Sequence, residues 1–279
     1  MRQPATHPVT KRKPKREVRT MFDNLFSLKG RVALITGGSR GIGEMIAEGY
    51  VRAGAKVYIT ARKAPECLAT AERLSEFGTC IALPGDASGA DGAKALAAKF
   101  LEHESKLDIL VNNAGAAWGA PLDEFPESGW DKVMDLNVKT PFFLIQALHG
   151  ALKAAASPQQ PAKVINIASI DGLSVNMMET YSYAASKSGI IHLTKRLGLE
   201  MAKENINVTA IAPGAFASSM NKVARDHADM VSQGVPSGRV GEPSDMAGAA
   251  IFLASRAGDY VVGSTVVVDG GVAQARGAF

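Results

Sequence analysis

Short hydrophobic runs alternate along the chain with longer stretches in which apolar residues recur every three or four positions. The short runs predict buried strands, and the longer amphipathic stretches predict helices. Strands are predicted at 31–36, 56–60, 79–83, 107–111, 164–168, 206–211 and 265–268. Because helical stretches follow the strands, the pattern predicts a single α/β domain with a doubly wound parallel sheet of about seven strands. The carboxyl ends of parallel strands lie at one edge of such a sheet, where ligands bind.

A glycine-rich turn follows the first predicted strand and precedes a helix predicted at 44–53. Its sequence is Gly37-Gly38-Ser39-Arg40-Gly41-Ile42-Gly43, with the spacing Gly-x-x-x-Gly-x-Gly. Glycine permits a tight turn and close backbone approach, and the N–H groups of a helix N-terminus bind a pyrophosphate. The turn therefore predicts a dinucleotide site formed by Gly37, Ser39, Arg40, Gly41, Ile42 and Gly43.

The residues after the second strand indicate which dinucleotide binds. NAD-specific sites place a carboxylate here, whereas this chain has Ala61 followed by Arg62. Arg40 and Arg62 together suit the 2′-phosphate of NADP(H), although Arg62 also fits a simple surface position. Asp86, followed by Ala87, ends the third strand and is placed to accept a hydrogen bond from an adenine amino group.

Two further strand ends contribute to the predicted cofactor site. After the fourth strand, Asn113, Ala114 and Gly115 are small enough to let a cofactor lie over the sheet, while Asn112 is expected to tie strands together through its amide. After the sixth strand come Pro213, Gly214 and Ser218. The segment 215–242 is less regular and carries Phe216, Met220, Met230 and Val231, which fits either a substrate lid or a surface helix pair.

Candidate chemistry is concentrated after the fifth strand. Ser169 follows that strand, and Tyr183 and Lys187 lie four residues apart in a helix predicted at 181–203, which places both on one face. A nearby cation favours the phenolate, so we expect a lowered pKa for Tyr183 and proton exchange with an alcohol or carbonyl oxygen. On its own, this spacing also fits a solvated pair on a helix surface. Asn137, in a helix predicted at 130–152, is either a satisfied core amide or a residue that shapes the helix and binds a water.

Charge is unevenly distributed along the chain. Residues 1–20 hold seven Lys or Arg residues and one Glu, whereas the net charge of the whole chain is +4. We expect a disordered basic tail at 1–20, followed by one folded domain at 21–279. A basic tail can also act as an electrostatic arm for nucleic acid or anionic lipid.

Other features narrow the class of protein. No apolar run approaches the roughly 20 residues that cross a bilayer, so no membrane partner is expected. Cys67 and Cys80 have no metal-binding or redox spacing, so no metal is predicted, and free cysteines are typical of a reducing cytoplasm.

Taken together, these motifs resemble the short-chain dehydrogenase/reductase family over about Leu28–Gly271. Within it they are most similar to 3-oxoacyl-[acyl-carrier-protein] reductases, including the β-ketoacyl reductases of rhamnolipid synthesis. The motifs that carry the resemblance are Thr36-Gly37-x-x-x-Gly41-x-Gly43, Asn112-Asn113-Ala114-Gly115, Asn137, Ser169, Tyr183-x-x-x-Lys187 and Pro213-Gly214.

The resemblance implies a single-domain Rossmann fold, NADP(H) as cofactor and a cytoplasmic homotetramer. It implies that Tyr183 donates a proton to a carbonyl oxygen and that Lys187 lowers its pKa and holds the nicotinamide ribose. Ser169 then hydrogen-bonds the substrate oxygen, and Asn137 supports a water that links Lys187 to solvent. Tyr183 and Lys187 thus belong to both the catalytic and the cofactor-binding sets.

Two positions depart from the family pattern. Ser169 and Tyr183 are fourteen residues apart, one more than in most of the family, which predicts a small bulge before the helix. Ser218 replaces a threonine and keeps a hydroxyl near the carboxamide. The longer spacing weakens analogies about the substrate, because residues 170–180 help to line the pocket.

The sequence therefore predicts an NADPH-dependent reductase of a carbonyl, with a 3-oxoacyl thioester as the expected substrate. Met177, Met178 and Phe216 favour an apolar acyl substrate. An alcohol or sugar dehydrogenase, or another ketone reductase, is the alternative within the family. A cofactor-sensing or nucleic-acid-binding protein is the alternative outside it, but a binding module does not need Ser169, Tyr183 and Lys187, so no nucleic acid is expected.

Overall fold

The computed structural model describes residues 24–218 and 221–275. A parallel sheet of seven strands runs through the domain in the order β3-β2-β1-β4-β5-β6-β7. The strands are β1 Val32–Thr36, β2 Lys56–Thr60, β3 Thr79–Ala82, β4 Ile109–Asn112, β5 Ala162–Ile167, β6 Ile206–Pro213 and β7 Thr265–Val268. The predicted doubly wound parallel sheet is therefore confirmed.

Helices cover both faces of this sheet. They are α1 Gly41–Arg52, α2 Ala64–Leu74, α3 Gly89–Leu101, α4 Glu127–Met134, α5 Thr140–Ala155, α6 Tyr181–Met201, α7 Lys222–Asp226, α8 Ala228–Ser232 and α9 Pro243–Ala254. On one face Ile46, Cys67 and Met246 bring α1, α2 and α9 into a common core. On the other face Phe100, Leu148 and Met201 do the same for α3, α5 and α6.

Consecutive strand residues divide between these two cores. Ala33 and Ile35 belong to the first core, whereas Leu34 between them belongs to the second. Because successive side chains of a strand point to opposite faces, a strand that is covered on both sides reads as a continuous hydrophobic run. This is why the strands were predictable from hydrophobicity alone.

Buried charges fix the amino-terminal edge of the sheet. Arg31 pairs with Asp108 at 3.2 Å, and the buried Lys163 pairs with Asp259 at 2.7 Å. Burial lowers the pKa of Lys163, which the carboxylate of Asp259 partly offsets. These pairs hold the starts of β1 and β5 in place. The candidate site lies at the opposite, carboxyl ends of the strands.

The helix predicted at 130–152 is not continuous. A π-helical turn, Asp135–Lys139, separates α4 from α5 and contains Asn137. Single π-turns of this kind are frequent at functional sites. The residues on either side of the turn keep helical backbone angles. The hydrophobic pattern of the sequence therefore predicts one continuous helix and does not reveal the turn.

Two predictions fall outside the described residues: the tail at 1–20, and the part of the segment 215–242 that contains Met220. Among the residues that the structure describes, no helix has both the length and the apolar character that crossing a membrane requires.

Candidate active site

The glycine-rich turn joins β1 to α1 at the carboxyl edge of the sheet. Gly37 and Gly41 have φ angles of +64° and +57°, a conformation that other residues adopt only at a cost. A Cβ atom at Gly43 would lie 2.2 Å from the carbonyl oxygen of Gly37. The turn can therefore form only with glycine at these positions, which brings the N-terminus of α1, including the half-buried Ile42, close to the strand end.

The polar residues of the turn differ in exposure. Ser39 is buried, and its carbonyl accepts a hydrogen bond from the Thr70 hydroxyl at 3.0 Å. Arg40 is exposed, and its guanidinium lies 4.0 Å from Glu66. Arg40 therefore keeps an exposed guanidinium at the rim of the site, where its ion pair within the described part of the chain is a long surface contact.

Arg62 and Asp86 lie beside this rim. Arg62 is exposed at the end of β2, and its charge is close enough to help lower the pKa of Asp86. The larger cause is Ser88, whose hydroxyl and backbone N–H both donate to Asp86 Oδ1, at 2.6 and 3.0 Å. Ala87, between them, is buried. The structure thus brings the predicted arginine and aspartate of the adenosine side together.

The end of β4 is tied to the end of β1 by hydrogen bonds. The Thr36 hydroxyl accepts from the backbone N–H groups of Asn113 and Ala114, both at 2.9 Å. The Asn113 amide donates back to the carbonyls of Thr36 and Gly37, at 2.9 and 3.1 Å. Asn113 therefore supports the glycine-rich turn, and its side-chain donors are occupied by that task.

Asn112 makes the structural tie that the sequence predicted. Its amide donates to the side chain of Asn166 at 2.9 Å and so joins β4 to β5. Gly115, three residues further, lies against Asn137, whose Oδ1 would be 3.2 Å from a Cβ atom at that glycine.

The segment after β6 closes over the glycine-rich turn. Gly214 follows Pro213 and donates its backbone N–H to Val268 at 2.9 Å. The Cβ of Ser218 lies 3.2 Å from the position that a Cβ of Gly41 would occupy. The Ser218 hydroxyl accepts from the backbone N–H of Asn221 at 3.0 Å. These contacts bring the predicted residues of this segment to the same cleft as the turn.

Phe216 lies elsewhere. Its side chain is only 2% exposed and belongs to the core beside α9. A Cβ atom at Gly241 would come within 2.4 Å of its ring. Phe216 therefore offers no exposed surface to an acyl chain in this structure. The short helices α7 and α8 lie further along the same segment.

Ser169 and Lys187 meet at the end of β5. Ser169 is buried two residues beyond the strand. The ammonium group of the buried Lys187 donates to the carbonyl of Ile167 at 2.7 Å and lies 5.5 Å from the centre of the Tyr183 ring. The Ser169 side chain also interacts with the Tyr183 phenol. The structure therefore places the three predicted catalytic side chains together.

The direction of the Tyr183 pKa differs from the prediction. Burial raises the pKa of the phenol, the side chain of Ser169 offsets part of the rise, and the charge of Asp171 adds to it. The Lys187 ammonium points to a backbone carbonyl, and burial lowers the pKa of Lys187 to about 8. Tyr183 therefore keeps its proton at neutral pH in this structure, which is the form that a proton donor requires.

Asn137 connects three parts of the cleft. Its Oδ1 accepts from the N–H of Ala116 at 2.8 Å, and its Nδ2 donates to the Ala116 carbonyl at 2.9 Å and to Ser186 Oγ at 3.0 Å. Ser186 in turn donates to the Tyr183 carbonyl at 2.7 Å. Both donors of the amide are used, so its side chain fixes the π-turn to the β4 loop and to α6.

The bulge predicted between Ser169 and Tyr183 takes the form of a 3₁₀ turn, Ile170–Gly172, and an irregular segment before α6. This segment exposes Leu173, Val175, Met177 and Met178. We use the name outer wall for residues 173–178, which lie between the 3₁₀ turn after Ser169 and α6. Asp171, in the 3₁₀ turn, was not among the predicted site residues, although it lies only two residues after Ser169.

Comparisons with known proteins show the family to which the chain is similar. Residues 37–273 match the family profile described as "Enoyl-(Acyl carrier protein) reductase". The chain is 49% identical over 251 residues to the rhamnolipids biosynthesis 3-oxoacyl-[acyl-carrier-protein] reductase of Pseudomonas aeruginosa, covering 88% of this chain and 97% of that protein. It is 40% identical to the 2-dehydro-3-deoxy-D-gluconate 5-dehydrogenase of Dickeya dadantii, covering 90% and 98%.

A solved structure shows the same similarity. The fold superposes on the Pseudomonas aeruginosa RhlG/NADP active-site complex with a TM-score of 0.87 and 48% sequence identity, over 89% of this chain and 98% of that one. The predicted resemblance, including that to rhamnolipid reductases, is therefore confirmed. The chain belongs to the short-chain dehydrogenase/reductase family of oxidoreductases.

Proposed function

We propose that the protein uses NADPH to reduce a ketone to a secondary alcohol, with a 3-oxoacyl thioester as substrate. The observation that carries this proposal is the meeting of Ser169, a protonated Tyr183 and the buried Lys187 at the carboxyl edge of the sheet. The glycine-rich turn lies at the same edge, so a dinucleotide and a carbonyl substrate can meet there.

The residues of the cleft fit NADP(H). Gly41 has a positive φ angle, and among the described residues only the side chain of Ser218 lies within 4 Å of the position of its missing Cβ, which leaves room for a phosphate at the N-terminus of α1. Arg40 and Arg62 present two exposed guanidinium groups where an NAD-specific site has a carboxylate. Both can bind a 2′-phosphate through charge-assisted hydrogen bonds.

Each catalytic side chain then has a defined task. Bound NADPH supplies the hydride that reduces the carbonyl carbon. Ser169 donates a hydrogen bond to the substrate oxygen, and Tyr183 transfers its proton to that oxygen, so that the product is a neutral alcohol. Lys187 holds positive charge close to Tyr183 while the phenolate forms, and Asn137 holds α6 in position through Ser186.

The outer wall supports an acyl substrate. Val175 and Met177 are 98% and 99% exposed, and Met178 is 65% exposed. Exposed apolar side chains beside a catalytic cleft provide surface that an alkyl chain can bury. A relative named as a 3-oxoacyl-[acyl-carrier-protein] reductase, at 49% identity, supports the same substrate class.

A sugar-acid dehydrogenase is the second candidate. It is supported by the relative named as a 2-dehydro-3-deoxy-D-gluconate 5-dehydrogenase, at 40% identity. A polyol site would need several hydrogen-bonding side chains at the wall, whereas four of the six wall residues are apolar: Leu173, Val175, Met177 and Met178. The first candidate therefore fits the wall better.

The test is oxidation of the nicotinamide, followed at 340 nm, with NADPH or NADH and with acetoacetyl and longer 3-oxoacyl thioesters. We expect turnover with NADPH and at most weak turnover with NADH. Oxidation of sugar acids without reduction of any thioester would favour the second candidate.

A homotetramer and a cytoplasmic location belong to the same proposal. Exposed apolar residues on the outer helices, including Phe142 on α5 and Leu199 on α6, support association of copies. Cys67 and Cys80 are buried free thiols, as expected in a reducing compartment. Sedimentation equilibrium tests the first point, and fractionation of the source cell tests the second.

A further inference from the structure

Asp171 is held in one place by the 3₁₀ turn that follows Ser169. Its backbone N–H donates to the Ser169 hydroxyl at 3.1 Å. The next residue, Gly172, accepts a hydrogen bond from the Ser188 hydroxyl at 3.1 Å. A Cβ atom at Gly172 would lie 2.6 Å from the backbone of Lys187, so the turn packs directly on α6. Asp171 therefore has a fixed backbone position beside the catalytic side chains.

The carboxylate of Asp171 has an unusual environment. The residue is half-buried, and among the described residues its side chain makes no hydrogen bond or ion pair. Its charge nevertheless acts on both Tyr183 and Lys187, and it raises the pKa of each. Because no hydrogen bond within the described residues engages this partly exposed carboxylate, its charge can also act on a ligand that binds beside Ser169.

We propose that Asp171 determines substrate specificity by excluding substrates that carry a negative charge next to the reacting carbonyl. This inference rests on the proposed function, because it requires a carbonyl bound between Ser169 and Tyr183. A protein rejects a competing ligand effectively by placing a like charge where that ligand would bind. Neutral esters and thioesters do not meet this repulsion, whereas a keto acid meets it in full.

The expected size of the repulsion follows from Coulomb's law. For two unit charges about 6 Å apart at an effective dielectric constant near 20, it corresponds to roughly 100-fold in affinity. A carboxylate at about that distance from the charge of a bound substrate would therefore favour neutral acyl substrates.

The experiment compares ethyl acetoacetate with acetoacetate, which differ at one end by a charge. With saturating NADPH, kcat/KM is measured for both in the wild type, Asp171→Asn, Asp171→Ser and Glu179→Gln. We expect the wild type to prefer the ester by about 100-fold and both Asp171 variants to reduce that preference at least about tenfold. Glu179→Gln removes a charge from the same segment, at an exposed residue, and leaves the preference unchanged.

Each variant is judged by the ratio of its kcat/KM values for the two substrates, so a general loss of activity cancels from the comparison. A preference in Asp171→Asn and Asp171→Ser within twofold of the wild type would overturn the inference while leaving the proposed function intact. Equal loss of preference in Glu179→Gln would also overturn it, because the effect would then belong to the net charge of the segment. Absence of reduction of the ester and of every 3-oxoacyl thioester would overturn the proposed function and the inference together.

Discussion

The inner and outer sides of the cleft are built in opposite ways. On the inner side Asn137, Ser186 and Lys187 are buried, and their side chains hydrogen-bond to one another or to backbone carbonyls. On the outer side Val175 and Met177 are almost fully exposed. The catalytic side chains are thus held in position by hydrogen bonds and close packing. The outer wall makes few contacts with the rest of the protein, so changes there should affect substrate binding more than stability. Changes on the two sides should therefore have different signatures.

The largest effect is expected on the inner side, from Tyr183→Phe. Removing the hydroxyl removes the proton donor, so we expect kcat to fall by at least about a thousandfold, the combined loss of acid catalysis and of the phenol's hydrogen bond. NADPH affinity, measured by fluorescence titration, should change by less than about threefold. Tyr181→Phe is the matched control, since Tyr181 begins α6 and contacts the Phe125 ring outside this network. Retained turnover in Tyr183→Phe would contradict the catalytic assignment.

A smaller inner-side effect is expected from Asn137→Ala. The substitution removes the partner of both backbone groups of the half-buried Ala116 and of the buried Ser186 hydroxyl. A buried group left without a partner costs about 1–3 kcal/mol, and a group that water can reach costs less. We expect the free energy of unfolding to fall by about 2–4 kcal/mol and kcat to fall by one to two orders of magnitude. Denaturant unfolding and steady-state kinetics measure both.

Gln160→Ala provides the control for this change, because Gln160 lies in an exposed turn before β5. Its effect on stability should stay within about 0.5 kcal/mol. Asn137→Ala with wild-type stability and activity would show that the network is not what positions α6.

The pH dependence should also come from the inner side. Burial lowers the pKa of Lys187 to about 8, so its charge is present below that pH and is lost as the pH rises through it. The raised pKa of Tyr183 keeps the phenol protonated over the same range. We expect kcat/KM for reduction to be level near pH 7 and to fall up to about tenfold per pH unit above 8.

Replacing Asp171 should shift the pH at which kcat/KM falls. Its charge raises the pKa of Lys187, so Asp171→Asn should move the fall in kcat/KM to lower pH, while Glu179→Gln should leave it in place. If kcat/KM in Asp171→Asn instead falls at a higher pH than in the wild type, the fall is not caused by the loss of charge on Lys187.

Sequence and structure agree where short-range patterns decide the structure and disagree where distant residues meet. The limits of β2 and β7 were predicted to the residue, because both are short hydrophobic runs between turns. Pro243 marked the start of α9, since proline is favoured in the first turn of a helix. Most of the predicted site residues lie at a strand end or within one helix turn of another, which is the short-range pattern from which they were predicted; Asn137 is an exception.

The parts that could not be predicted depend on long-range contacts. The π-turn is held by Asn137, whose partners Ala116 and Ser186 are 21 and 49 residues away in the sequence. The pKa of Tyr183 was predicted in the wrong direction because spacing shows a lysine at i+4 but not the burial of the phenol. The spacing also does not show that the lysine ammonium binds the carbonyl of Ile167.

The smallest effect is expected from a substitution on the outer side. It would test most directly whether the inner and outer sides have separate roles. Met177 is 99% exposed, so Met177→Ser should leave the free energy of unfolding within about 0.5 kcal/mol of the wild type. If a long acyl chain packs on the wall, the lost contact of two or three carbon-sized groups should raise KM for long 3-oxoacyl thioesters by about three- to tenfold. KM for the acetoacetyl thioester and kcat for both should change little, since only uniform binding is removed.

Leu68→Ser, at an exposed apolar residue on α2, is the control and should affect neither substrate. Equal effects of Met177→Ser on short and long thioesters would mean that the wall shapes the reacting centre itself, and the separation between the two sides of the cleft would then fail.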